Sequence, residues 1–85
     1  MPYYVYILQS ELDGTFYVGS TCDLDARLAR HNQGGSRYTK SKKPWRVIYS
    51  EELADKSKAL VRERQIKSRK SREYVETLLR MRLTS

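Results

Sequence analysis

Residues 3–19, YYVYILQSELDGTFYVG, decide the fold. Tyr3 to Leu8 is aromatic and β-branched, with Tyr4, Tyr6 and Leu8 alternating against Tyr3, Val5 and Ile7. That pattern predicts a strand, and two apolar faces predict a central one. Asp13-Gly14 is a hairpin signal. It leads into a return strand, Thr15 to Gly19, on which Thr15, Tyr17 and Gly19 share a face. The pair is expected to be antiparallel, with Tyr6 and Tyr17 neighbours if the register allows it.

Beyond the hairpin, Ser20, Thr21 and Asp23 offer N-caps for a helix that runs to about Asn32 and stops at Gly34-Gly35. Its stripe is Leu24, Arg27, Leu28 and His31. Arg27 and His31 therefore share a face with two leucines, which a plain amphipathic helix would avoid. Ser36 to Lys43 reads as a basic loop containing Tyr38, and Pro44 leads into a third strand, Trp45 to Ser50. A helix from about Asp55 to Lys67 carries Ala59, Leu60, Glu63 and Ile66 on its inward stripe. Glu63 is a carboxylate among apolar positions. Ser68 to Arg72 turns the chain, and a last helix near Glu73 to Arg82 presents Val75, Leu78 and Leu79. The order is β-β-α-β-α-α: a small three-stranded antiparallel sheet flanked by helices, an α+β domain.

The 85 residues leave room for one domain, 1–85, and one core. A single cysteine, Cys22, excludes an internal disulfide and a multi-cysteine metal site. The chain shows neither a long apolar run nor a signal peptide, so a soluble cytoplasmic protein is the expectation. The net charge is +7. No Lys or Arg occurs in residues 1–26, whereas seven bases and no acid lie between Arg27 and Arg46, and ten more bases follow from Lys56. A basic surface attracts polyanions, of which nucleic acid is the commonest, although it also serves solubility. A membrane surface is disfavoured, because no helix joins a broad apolar face to a basic one.

Two tyrosines, Arg27, His31 and Glu63 suit phosphodiester hydrolysis. Arginine forks onto phosphate without losing its charge, and a carboxylate holds a hard divalent ion that keeps several waters. A phenol titrates near pH 10 and needs cations to act as a base at neutral pH. Taken singly, each residue has an ordinary explanation. Strand tyrosines pack, Arg27 snorkels over leucines, His31 caps a helix C-terminus, and Glu63 pairs with Arg27 or Lys67.

The joint spacing closely resembles the GIY-YIG nuclease family. Tyr4-Val5-Tyr6 stands for GIY and Tyr17-Val18-Gly19 for YIG. In that family an arginine lies on the next helix, as Arg27 does, with a His or Tyr one turn later, as His31 is. A glutamate on a later helix is the single protein ligand of the metal, and Glu63 sits in that place. The resemblance spans roughly residues 3 to 80, and the length and order are similar to the small stand-alone bacterial members. In those members, stretches like Tyr38-Thr39 and Arg62-Glu63…Ile66-Lys67 recur.

The resemblance implies a divalent-metal-dependent DNA endonuclease acting in repair or recombination. Tyr6 takes the proton of the attacking water and Tyr17 helps to orient that water. Arg27 contacts the scissile phosphate and lowers the tyrosine pKa, and His31 orients the phosphate or assists proton transfer. Glu63 binds one Mg2+ or Mn2+ ion, which stabilises the leaving 3′ oxygen. Gly19 permits close backbone approach. Arg27, Arg37, Tyr38, Lys40, Lys42 and Lys43 are the expected nucleic-acid contacts, giving a salt-sensitive, nonspecific grip. The chain departs from the pattern at Tyr4, which replaces the first glycine, and no asparagine convincingly matches the one that often follows the glutamate. No second DNA-binding domain is expected. The alternative is a nucleic-acid-binding module of the same fold with weak or no catalysis, and, below it, a basic interaction protein.

Overall fold

The computed structural model describes residues 2–34, 40–69 and 72–84. Strands β1 (Tyr3–Ser10), β2 (Phe16–Thr21) and β3 (Trp45–Leu53) form an antiparallel sheet in the order β2-β1-β3. Helix α1 (Leu24–Asn32) lies between β2 and β3 in sequence, and α2 (Lys56–Ser68) and α3 (Arg72–Thr84) follow β3. This is the α+β arrangement expected, with β1 at the centre.

The alternation on β1 divides the interior. Val5 and Ile7 pack with Val18, Tyr49, Ala59, Ile66, Val75 and Leu78, so α2 and α3 cover this face. Tyr6 and Leu8 pack on the other face with Trp45, Tyr17, Val47, and Leu24 and Leu28 of α1. Both faces of β1 are therefore buried by apolar contact, the dominant favourable term in folding.

The β1–β2 connection is fixed by polar groups. Gly14 adopts φ +79°, and its N–H donates to the Ser10 carbonyl at 2.9 Å. Asp13 accepts from the Thr15 N–H at 3.0 Å and pairs with Lys42 Nζ at 2.8 Å. Ser10, only 2% exposed, accepts from the Leu12 and Asp13 N–H groups and donates to the Lys42 carbonyl. Thr15 thus belongs to the turn and β2 begins at Phe16.

The end of β3 and the inward stripe of α2 also differ from the sequence reading. Beyond Ser50, β3 continues to Leu53, because its acidic residues find partners. Glu51 accepts from Arg62 of α2, and Glu52 pairs in register with Tyr4. A register shift between Ile7 and Leu8 marks an irregularity in the β1–β3 pairing. Leu60 does not face inward: it is 42% exposed, whereas Ala59 and Ile66, seven residues apart, are buried. The sheet lies along that line, and Leu60 is rotated about 100° from Ala59. The carboxylates of Asp23 and Asp55 cap α1 and α2 through the Ala26 and Lys58 N–H groups.

Candidate active site

The register answers how the tyrosines meet. Tyr6 lies opposite Gly19 and Leu8 opposite Tyr17, so Tyr6 and Tyr17 are diagonal neighbours on one face. Their rings are 6.5 Å apart in a stacked orientation. Gly19 makes room for the first of them. A Cβ on Gly19 would sit 2.5 Å from the Tyr6 hydroxyl and 3.2 Å from Tyr17 Cε1. Its value here is a missing side chain, not unusual backbone geometry.

Helix α1 brings His31 onto the pair. Its ring centroid is 4.8 Å from that of Tyr17 and 6.3 Å from that of Tyr6, edge-on to both. The Tyr6 hydroxyl and His31 Nε2 are 3.3 Å apart. His31 is 5% exposed, and burial, followed by the charges of Arg27 and Arg30, lowers its pKa below the usual 6.5. Imidazole is therefore neutral at pH 7, leaving Nε2 free of charge and able to accept the Tyr6 proton in the appropriate tautomer. A cap for the helix C-terminus would call for the cation.

Tyr6 is 1% exposed, and its pKa is pushed up to about 12. Burial is the largest cause, and the nearby Tyr17 and Glu63 raise it further. Arg27 opposes them with its charge and a hydrogen bond. Arg27 itself is exposed, one turn before His31. Its charge thus acts on the phenol while the side chain stays open to solvent.

Glu63 reaches the site from α2. Its side chain is 17% exposed, Oε1 accepts from Ser20 Oγ at 2.6 Å, and Oε2 is 2.6 Å from Lys67 Nζ. Among the described residues, no three His, Cys, Asp or Glu side chains gather as a metal cage. A cation is nevertheless already drawn to this carboxylate: the ammonium of Lys67, on a side chain 51% exposed and able to swing away. The donor set fits an ion bound by one protein carboxylate and otherwise by water and phosphate oxygen, as small hard cations prefer.

Tyr17, Arg27 and His31 therefore gather at Tyr6 from the α1 face of the sheet, whereas Glu63 comes from α2 on the other face, past the edge strand β2, near enough for its charge to act on the phenol. The other expected contacts are dispersed. Lys40 and Lys43 are exposed, whereas Lys42 is held by Asp13 beside the hairpin. Arg37 and Tyr38 fall outside the described residues. Three contributors escaped the sequence reading. Ser20 orients Glu63. Trp45 packs edge-on against Tyr17, at 6.2 Å. Asn32 clamps the backbone of Trp45, accepting its N–H at 2.5 Å and donating to its carbonyl at 3.1 Å. Position alone hinted at Ser20, which directly follows Gly19. A depression of about 390 Å³ lies elsewhere, lined by Leu53, Ser57, Val61 and Arg62, and contains none of these groups.

The model of the GIY-YIG catalytic domain matches residues 2–75 of this chain. The chain belongs to the GIY-YIG family. Its relatives include a UPF0213 protein of Staphylococcus haemolyticus, 42% identical over 67 residues that cover 78% of this chain and 80% of the relative. A UPF0213 protein of Streptococcus pneumoniae is 38% identical over 76 residues, covering 88% and 76%. The solution NMR structure of a UPF0213 protein from Bacillus halodurans superposes with a TM-score of 0.59 at 35% identity, covering 95% of this chain and 85% of that one. This GIY-YIG chain carries Tyr4, Tyr6, Tyr17 and Gly19 within the matched span, as well as Arg27, His31 and Glu63.

Proposed function

We propose that this GIY-YIG protein is a divalent-metal-dependent endonuclease that hydrolyses DNA phosphodiester bonds, with a place in repair or recombination. The carrying observation is the Tyr6 hydroxyl, which faces His31 Nε2 at 3.3 Å and feels both Arg27 and Glu63. A proton acceptor thus stands at hydrogen-bond reach of this oxygen, and the charges of a cation suited to phosphate and a carboxylate suited to a metal both act on it.

A phenol with a pKa of about 12 is a weak base while it keeps its own proton. Neutral His31 removes that difficulty. The attacking water, oriented by Tyr17, gives its proton to the Tyr6 oxygen as the Tyr6 proton passes to His31 Nε2. The resulting hydroxide forms the new P–O bond in line with the bond to the 3′ oxygen, which breaks. Arg27 holds the non-bridging oxygens and counters their growing charge. Glu63 is the residue for one Mg2+ or Mn2+ ion, with Lys67 displaced and Ser20 holding the carboxylate rotamer. When bound there, such an ion would supply positive charge to the phosphoryl group and the leaving 3′ oxygen, and that oxygen takes its proton from solvent. The net charge of +7 favours encounter with the polyanion. No helix among the described residues is long and apolar enough to cross a membrane.

The test is cleavage of single-stranded, duplex, flapped and branched DNA with Mg2+ or Mn2+, comparing wild type with Arg27→Ala and Glu63→Gln. Each variant is expected to lose about 10²-fold or more in rate. Equal cutting by both variants and wild type would remove the assignment. Wild type that binds and never cuts would make the chain a binding module.

A further inference from the structure

Tyr4 stands where the family's first motif has glycine, and the proton-handling scheme leaves it unused. It shares a face with Tyr6, one pleat repeat away, about 7 Å along β1. Around Tyr6 the cross-strand neighbours are small: Gly19 on β2 and Ser50 on β3. In the next row Tyr4 lies between Thr21 and Glu52. The α1 leucines cover the sheet at Tyr6, Leu8 and Trp45, whereas Tyr4 belongs to neither apolar group and is partly exposed. A large aromatic ring is thus placed beside the site without serving the core.

Its polar neighbour narrows what the ring can meet. Glu52 is exposed, and its charge, followed by burial and a hydrogen bond to the same carboxylate, raises the Tyr4 pKa. The carboxylate stands directly across the β1–β3 pair from the ring and repels phosphate. A π-face next to an acceptor suits a flat, neutral group bearing N–H donors. Nucleobases have that chemistry: they stack on aromatic side chains, and their exocyclic amines donate to carboxylates. A ring face is reached only when the base leaves the duplex stack.

We infer that Tyr4 and Glu52 form a subsite for an unpaired nucleobase flanking the scissile phosphate, with the base stacked on Tyr4 and its amine donated to Glu52. The inference rests on the DNA-cleaving reading and gives it a substrate class: single strands, flaps and branch points, in preference to continuous duplex.

The experiment uses the full chain without divalent metal and a single-stranded oligonucleotide carrying one 2-aminopurine. Wild type should bind it and change its fluorescence by stacking. Tyr4→Phe should retain this response, and Tyr4→Val should lose it and bind about 5- to 150-fold more weakly. Glu52→Ala should keep stacking but lose preference for amine-bearing bases over thymine. An oligonucleotide bearing 5-iodouracil should photocrosslink to Tyr4 in wild type, a readout that needs no variant to fold. Tyr4→Val that binds and stacks like wild type, or crosslinking only elsewhere, overturns the subsite and leaves the nuclease reading intact. Wild type that stacks the base at Tyr4 but cuts no DNA supports the subsite and removes the nuclease reading. Failure of wild type to bind any oligonucleotide overturns both.

Discussion

Gly19→Ala places one methyl group where the structure has no room for it. The new Cβ would stand 2.5 Å from the Tyr6 hydroxyl and 2.8 Å from Tyr6 Cζ. Ordinary contact begins at 3.4 Å, so the hydroxyl must retreat by about 0.9 Å. Tyr6 is 1% exposed, with Tyr17 stacked on it and His31 edge-on, so its rigid ring has no free space. Overpacking of this kind costs about 1–3 kcal/mol. Losing glycine's freedom in the unfolded chain returns about 0.4–1 kcal/mol, because the backbone at this position is not left-handed. The expected net loss is about 1–2 kcal/mol, read as a lower urea midpoint with an unchanged m-value. The catalytic effect is larger: a displacement near 1 Å breaks the 3.3 Å approach to His31 and is expected to lower kcat/KM about 10²-fold. Parallel urea denaturation and cleavage kinetics measure both effects. Wild-type stability together with wild-type kcat/KM would mean that Tyr6 is not clamped, and the proton path through His31 would fail with it.

Burial of neutral His31 makes stability fall as pH drops through 6.5, where the unfolded chain takes up the proton that the fold resists. Urea midpoints at pH 8, 6 and 5 should decline for wild type and stay flatter for His31→Gln; Asp13 and Glu51, lowered from 3.8 and 4.5, contribute only at lower pH. Cleavage should fall at lower pH than the onset of that decline, where the folded imidazole itself takes up a proton and can no longer accept from Tyr6. Arg62→Ala leaves Glu51 without its guanidinium while the Tyr49 hydroxyl still donates to it, and a loss of about 1–3 kcal/mol is expected in thermal or urea unfolding, with substrate cleavage by the folded fraction unchanged. Ser10→Ala removes an oxygen that accepts from two N–H groups and donates to a carbonyl, and should cost about 1–3 kcal/mol by the same measurement.

What could be read from the sequence was local. The two-faced alternation of Tyr3 to Leu8 placed β1 at the centre, and Asp13-Gly14 and Asp23 marked a turn and a cap through bonds to nearby backbone; Asp55, the first residue of its helix by sequence, is its cap. The site residues were legible by their incongruity: a cation and an imidazole on a leucine face, and a carboxylate on a core stripe. Partners distant in sequence were not. Ser20 meets Glu63 across 43 positions, and Asn32 reaches Trp45 across 13. By sequence the third strand ends at Ser50, because the counter-charge that Arg62 brings to Glu51 lies eleven positions further on. Leu60 looked inward because periodicity gives a face but not the direction in which a sheet lies against it.

The edge strand β2 explains why residues from opposite sides of the sheet can serve one phosphate. Alternation sends Tyr17 and Gly19 to the face of Tyr6 and α1, and Ser20 to the face of Val5 and α2. Gly19 admits the phenol on one side while its neighbour Ser20 holds Glu63 on the other. A central strand could not do this, since its flanking strands would separate the two groups; at an edge, Glu63 comes close enough for its charge to act on Tyr6. The pairing register is therefore a functional quantity. A slip of one residue between β1 and β2 would bring Ser20 to Tyr6, put a side chain in the space that Gly19 leaves open, and turn Tyr17 to the other face. The Gly-Ser dipeptide thus couples the proton-handling half of the site to its carboxylate half, and the buried faces of Val18 and Thr21 hold it in register.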